Sequence, residues 1–175
     1  MSLENFLSDK RSHIIKKWRD AIIETYPGDT QRFLRKEKDP FANPVGHSIR
    51  NEIGGLYDEI IEGGAIDKIS ASLDSIIRVR AVQDFRPSDA IGFVLQLKKV
   101  IREELGDKAL MNGFSSDLHT VEERIDETAL LAFDIYSKCR QEIYEIRVKE
   151  VKNHLGKLLK QANLTIDIPD EKSDI

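Results

Sequence analysis

The feature that most constrains this chain is a long run in its C-terminal third. From about Asp117 to Asn153, apolar residues recur at helical spacing with no proline or glycine between them. Proline removes a backbone donor and clashes with the preceding turn, and glycine costs about 1 kcal/mol in a helix interior. The stretch therefore predicts one continuous helix, roughly 55 Å long at 1.5 Å per residue. That is longer than the core that a chain of 175 residues builds. The apolar seam is heptad-like: Leu118, Ile125, Ala132, Cys139 and Ile146, with Ala129, Tyr136 and Ile143 between them. Its first part, up to Tyr136, is expected to dock on the chain's own core. Beyond Tyr136 charges crowd in, so Cys139, Ile143 and Ile146 are expected to form a surface for a homodimer or a protein partner.

Four more amphipathic stripes precede this helix. Leu3, Phe6, Leu7, Ile14, Trp18 and Ile22 predict a helix over 3–25, with Ser8 and Asp9 as the place for a break and Pro27-Gly28 as its stop. Residues 28–45 read as a connection with one short helical turn around Arg32 to Leu34. Asn43 before Pro44 reads as an N-cap followed by proline at the first helical position. The helix it opens, 45–62, ends at Gly63-Gly64; the next stripes predict helices over 66–83 and 88–105, separated by Asp84-Phe85-Arg86-Pro87-Ser88. A turn around Asn112 to Ser115 leads into the long helix, over 116–153. Gly156 is expected to weaken it, and Thr165 to Ile168 reads as an extended tail. The expectation is an all-α domain of about five main helices over 1–153, with a C-terminal extension over 154–175.

Composition narrows the function. With 40% hydrophobic and 33% charged residues the chain can bury a core, and a formal net charge of −4 supplies no field for gathering phosphates, so nucleic-acid binding is not expected. Cys139 is the single cysteine, which rules out an intramolecular disulfide and fits a reducing compartment. The N-terminus has no uninterrupted apolar segment before a small-residue cleavage site, and no 18-residue apolar run occurs. A cytoplasmic protein without membrane insertion is expected.

The chemistry-bearing motifs are missing. Gly54-Gly55 and Gly63-Gly64 lack the spacing and the lysine of a phosphate loop, and neither Ser48 nor Ser115-Ser116 sits in a nucleophile elbow. Glu122, Asp126, Glu127 and Asp134 form a carboxylate ladder without the Glu-x-x-His pairs of a di-metal bundle. His13, His47, His119 and His154 are widely separated. These absences predict no enzyme activity, no metal and no cofactor. A haem-binding redox protein, or an accessory subunit of a cytoplasmic redox or signalling complex, is the alternative; haem needs an axial histidine, and residues 66–90 contain none. The densest polar group is the segment from Arg78 to Arg86. Arg78, Arg80 and Gln83, with His47 after the Asn43-Pro44 turn, are the expected site for a small anion or a partner's carboxylates, which the planar guanidinium fork suits.

Several stretches together resemble one family: Trp18 with Tyr26-Pro27, Arg32-Phe33-Leu34, Phe41 to His47, Arg78 to Phe85, Pro87 to Ala90, and Ala132 to Tyr136. In order and spacing they are similar to the N-terminal sensor domain of RsbRD-type proteins, co-antagonists of the RsbT kinase in bacterial stress-signalling complexes. The resemblance implies a globin-like helical sensor that dimerises, lacks haem and passes its signal along the last helix to an output domain. The sequence departs from the pattern twice. Arg86 stands where a capping serine is expected, with Ser88 able to take that role, and no phosphorylatable output domain follows, which points to a stand-alone sensory module.

Overall fold

Punctuation residues set the helix ends. The structure, a computed structural model, describes residues 2–109 and 114–162. Among them lie seven α-helices and no strand: α1 (Leu3–Asp9), α2 (Arg11–Glu24), α3 (Gly28–Lys36), α4 (Pro44–Glu62), α5 (Ile66–Val82), α6 (Pro87–Leu105) and α7 (Phe114–Gln161). A short 3₁₀ turn, Gly106–Ala109, follows α6. The fold is all-α with a long C-terminal helix, as the periodicity implies.

The cap of α4 shows how specific the punctuation is. Asn43 is buried; its Oδ1 accepts from the Gly46 N–H at 2.8 Å, while its Nδ2 donates to the carbonyls of Leu34 and Glu37. One side chain thus starts α4 and ties down the end of α3. Gly46 is required by this approach, since a Cβ there would fall 2.3 Å from Asn43 Nδ2. At the C-terminus of α5 the chain turns through Asp84, whose φ of 63° is left-handed. The Phe85 N–H returns to the Arg80 carbonyl and the Asp84 N–H to that of Ala81, a Schellman ending with aspartate where glycine is usual. At the start of α6, Arg86 is the N-cap and Pro87 opens the helix without a side-chain cap, so Ser88 does not supply one.

Three boundaries differ from the sequence expectation. Residues 28–36 form a nine-residue helix, α3, where a connection with one helical turn is expected; Leu34, 2% exposed, anchors it, and with Phe33 as its one other large apolar residue it offers periodicity no stripe. The first predicted helix breaks as expected into two, α1 and α2, but one residue beyond Ser8 and Asp9, at Lys10. Helix α7 starts at Phe114 and runs through Gly156 to Gln161. Flanking Leu155, Lys157 and Leu158 are strong helix formers, and together they outweigh one glycine. The expected turn residues Asn112 and Gly113 and the expected tail over 165–168 lie outside the described residues.

The chain divides into two compact units, Met1–Arg140 and Gln141–Ile175, and α7 contributes to both. In the first, Ile14, Trp18 and Ile22 of α2 are fully buried, and Trp18 Nε1 donates to the Phe93 carbonyl on α6 at 2.7 Å. Each large apolar side chain so buried contributes about 1.5–3 kcal/mol. Arg11 grips Asp58 of α4 through two 2.6 Å bonds, and the Tyr57 hydroxyl donates to the Leu7 carbonyl. Leu118, Ile125, Ala132 and Tyr136 of α7 are buried in the same core, so the first part of the seam docks on its own chain. Arg102 to Glu122, Lys98 to Asp126, and Arg124 Nη1 to the Ile61 carbonyl clamp that part of α7 to α6 and α4. In the second unit, the described residues are the helical stretch up to Gln161 and Ala162.

Candidate functional site

Arg80 is the most unusual residue of the first unit: its side chain is fully buried, yet among the described residues no carboxylate pairs with it. Its cation is accommodated in three other ways. The C-terminus of α2 supplies acceptors, the Ile22 carbonyl at 3.3 Å and Thr25 Oγ1 at 2.9 Å from Nη2, where the helix dipole favours positive charge. Nη1 donates to the Asp89 carbonyl in the first turn of α6 at 2.8 Å. The rings of Tyr26, Phe85 and Phe93 lie 5.2, 4.9 and 5.2 Å from the guanidinium carbon, within cation–π range. Burial pushes the Arg80 pKa below the usual arginine value, opposed by Tyr26 and Asp89. Among the described residues, Arg80 Nε and the Tyr26 hydroxyl have no hydrogen-bond partner.

The other members of the polar segment do not join it. Arg78 is exposed and pairs with Asp74 one turn back at 2.7 Å. Gln83 is the exposed C-cap of α5. His47 is half-buried on α4, where Asn51 Nδ2 donates to its Nε2 at 2.8 Å. The helical period explains the divergence, because residues 78, 80 and 83 of one α-helix point in different directions. Tyr26, Thr25 and Phe93 are the partners that sequence reasoning missed. Thr25 and Tyr26 follow the end of α2, more than 50 residues from Arg80, and Phe93 lies on α6; Tyr26 and Phe85 signalled themselves only as matches in the family resemblance.

The caged arginine sits against α7. The Tyr136 hydroxyl donates to the Phe85 carbonyl, Arg140 Nη1 donates to the Ala81 carbonyl at 3.0 Å, and Arg140 pairs with Asp84 at 2.5 Å. The turn over 81–85 therefore has Arg80 beneath it and the end of the first unit's α7 segment against it. Cys139 is buried in that segment.

The second unit presents a different face. Ile143 is half-buried and Ile146 is 59% exposed. The apolar pattern that began at Leu118 fails at Glu150, Asn153 and Lys157, and another replaces it: Tyr144, Val148, Val151, Leu155 and Leu158. These are spaced four, three, four and three residues apart, the a/d repeat of a coiled coil. Val148, Val151, Leu155 and Leu158 are all between 48% and 58% exposed. Ile146 falls about 120° or more around the helix from each member of this seam, on the opposite side.

Among the described residues no group of three or more His, Cys, Asp or Glu side chains could hold a metal ion, and no described helix is long and apolar enough to cross a membrane. The model of a family described as the RsbT co-antagonist protein rsbRD N-terminal domain matches residues 12–151. An uncharacterized protein of Archaeoglobus fulgidus is 28% identical over 141 residues, which span 80% of this chain and 83% of that protein. No solved structure matches the chain.

Proposed function

We propose, since the chain belongs to the RsbT co-antagonist RsbRD N-terminal domain family, that it is a cytoplasmic regulatory module that binds protein partners and performs no chemistry of its own. The family is one of stress-signalling regulators, and the exposed heptad face of α7 is the single observation that carries the partner-binding reading. Four large aliphatic side chains on successive turns, each about half exposed, are poorly solvated, and covering them would contribute on the order of 1 kcal/mol each before the entropy of association is charged.

The route from core to surface is α7 itself. A signal that alters the packing of α2, α5 and α6 around Arg80 would bear on the 81–85 turn and, through Tyr136 and Arg140, on α7. A partner that binds the distal face more tightly in one state would read that change, which is what coupling between two sites requires.

In-cell crosslinking of the tagged full chain, followed by mass spectrometry, tests this reading. The expected result is a signalling protein crosslinked to lysines of the distal α7 segment, and its loss in the Val151→Glu/Leu155→Glu variant. Crosslinks to no other protein would overturn it.

A further inference from the structure

We infer that the cleft between the α4–α5 turn and α7 binds a small aliphatic α-amino acid, with its carboxylate on Arg124, its ammonium on Glu127 and its side chain against Ile66, Ile69 and Leu131. The site lies wholly within the first unit, so it stands or falls separately from what the distal face of α7 binds.

The cavity holds about 230 Å³. Sites for drug-sized ligands run from roughly 300 to 1,000 Å³, so the occupant here is small. Part of the lining is apolar. Ile60 is buried, Ile69 and Leu131 are half-buried, and Ile66, in the first turn of α5, is 66% exposed. An aliphatic chain laid along these residues would take apolar surface out of water on both sides.

The charged lining residues are Glu59, Arg124 and Glu127. Glu59 is neutralised by Lys68 at 3.1 Å. Among the described residues Arg124 and Glu127 have no oppositely charged partner, whereas their neighbours Glu122, Glu123 and Asp126 all do. Arg124 Nη1 donates to the Ile61 carbonyl at the end of α4, which uses one of its five N–H donors. The glycine pair after α4 lets the charged groups approach the backbone. A Cβ on Gly63 would fall 2.9 Å from Arg124 Cζ, and one on Gly64 would fall 1.7 Å from Glu59 Oε2.

Residues 124 and 127 are neighbours one turn apart on α7, with about 5–6 Å between Cβ atoms, and Leu131 follows on the next turn. An α-amino acid carries a carboxylate and an ammonium on the same carbon. Both of its charges therefore meet opposites at one end of the cleft while its side chain runs towards Leu131. A plain carboxylate would set like charge against Glu127, and a plain amine would set like charge against Arg124. The two unmatched side chains thus select the zwitterion over either ion.

Titration of the ¹⁵N-labelled full chain with L-leucine, L-valine and L-methionine, followed by two-dimensional NMR, tests the site. At least one should give saturable shifts in the amides of Gly63, Gly64, Ile69 and Leu131 at millimolar concentration or below. The carboxylic acid that lacks its amine, the amine that lacks its carboxylate, and alanine should each bind about ten-fold more weakly or worse, because each loses one charge pair or the apolar chain. Arg124 also clamps α4, so Glu127→Gln is the deciding variant: Glu127 is exposed, and its loss should leave Tm unchanged. Glu127→Gln should weaken the amino acid by about ten-fold and strengthen the carboxylic acid. The inference is overturned by a carboxylic acid or amine that binds as tightly as the amino acid, by unchanged affinity in Glu127→Gln, by saturable shifts confined to other surfaces, or by no saturable shift with any of the three. None of these results bears on the in-cell crosslinks.

Discussion

The Tyr136 hydroxyl of α7 donates to the main-chain carbonyl of Phe85, the residue whose ring covers the Arg80 guanidinium. This hydrogen bond, with the contacts of Arg140 to Ala81 and Asp84, joins the long helix to the turn above the caged cation. Tyr136→Phe keeps the ring and removes this bond. The expected loss is about 1 kcal/mol, or roughly 2–4 °C in Tm for a chain of this size. Thermal unfolding by circular dichroism checks it, and an unchanged Tm would show that the bond carries no net stability.

Arg80→Ala empties the cage and orphans acceptors on α2 and α6. The expected destabilisation is about 3–4 kcal/mol, from cavity and unsatisfied carbonyls together. Arg80→Lys should recover only part, since an ammonium on a flexible stem cannot reach Thr25 and the Asp89 carbonyl as a planar fork does. Denaturant unfolding of both variants measures the order; equal stability of lysine and wild type would contradict the geometry.

At the start of α4, Asn43→Ala removes the cap of one helix and the tether of another. About 1–2 kcal/mol should be lost. Gly46→Ala should cost at least as much, because the added methyl collides with the Asn43 amide. The double variant should fall well short of additive, since removing the Asn43 amide opens the space that the methyl needs. Additive losses would show that the two residues are not coupled.

Acid sensitivity should centre on Glu104. The hydrogen bond from Lys17 Nζ at 2.5 Å, with His13 adding to it, holds the Glu104 carboxyl below the usual glutamate range. Because the folded value is depressed, the stabilisation is present above the unfolded value of about 4.5 and is lost as pH falls through the folded value. Glu104→Gln should lower stability at pH 7 and flatten its dependence below pH 4.5. Stability measured between pH 3 and 7 for both proteins checks the sign, and parallel curves would assign the acid sensitivity to other carboxylates.

Helix punctuation was legible because its causes are local. Asn43-Pro44, Gly63 and Pro87 act on the backbone within a turn of themselves, and the structure begins or ends helices at each. The docking of Leu118 through Tyr136 on the chain's own core was legible for the same reason: a stripe at helical period must find cover somewhere, and the core was the nearest cover. Periodicity missed α3, where Leu34 is the only buried residue.

What only the tertiary structure decided is whom each side chain meets. Arg80 reads as one of several polar residues at a helix end, and its neighbours in sequence say nothing of a cage. Its acceptors lie 55 and 58 residues away at the end of α2 and nine residues away in the first turn of α6, and the energy that keeps the guanidinium buried comes from those backbone and hydroxyl oxygens and from rings on three separate segments. The change of face along α7 has the same origin. The seam through Cys139 is apolar and buried in the first unit; in the second unit the exposed apolar face is that of Val148, Val151, Leu155 and Leu158. A sequence determines the period of a helix, because period is a property of one turn. Which stripe is buried is a property of the surfaces the folded chain brings against it.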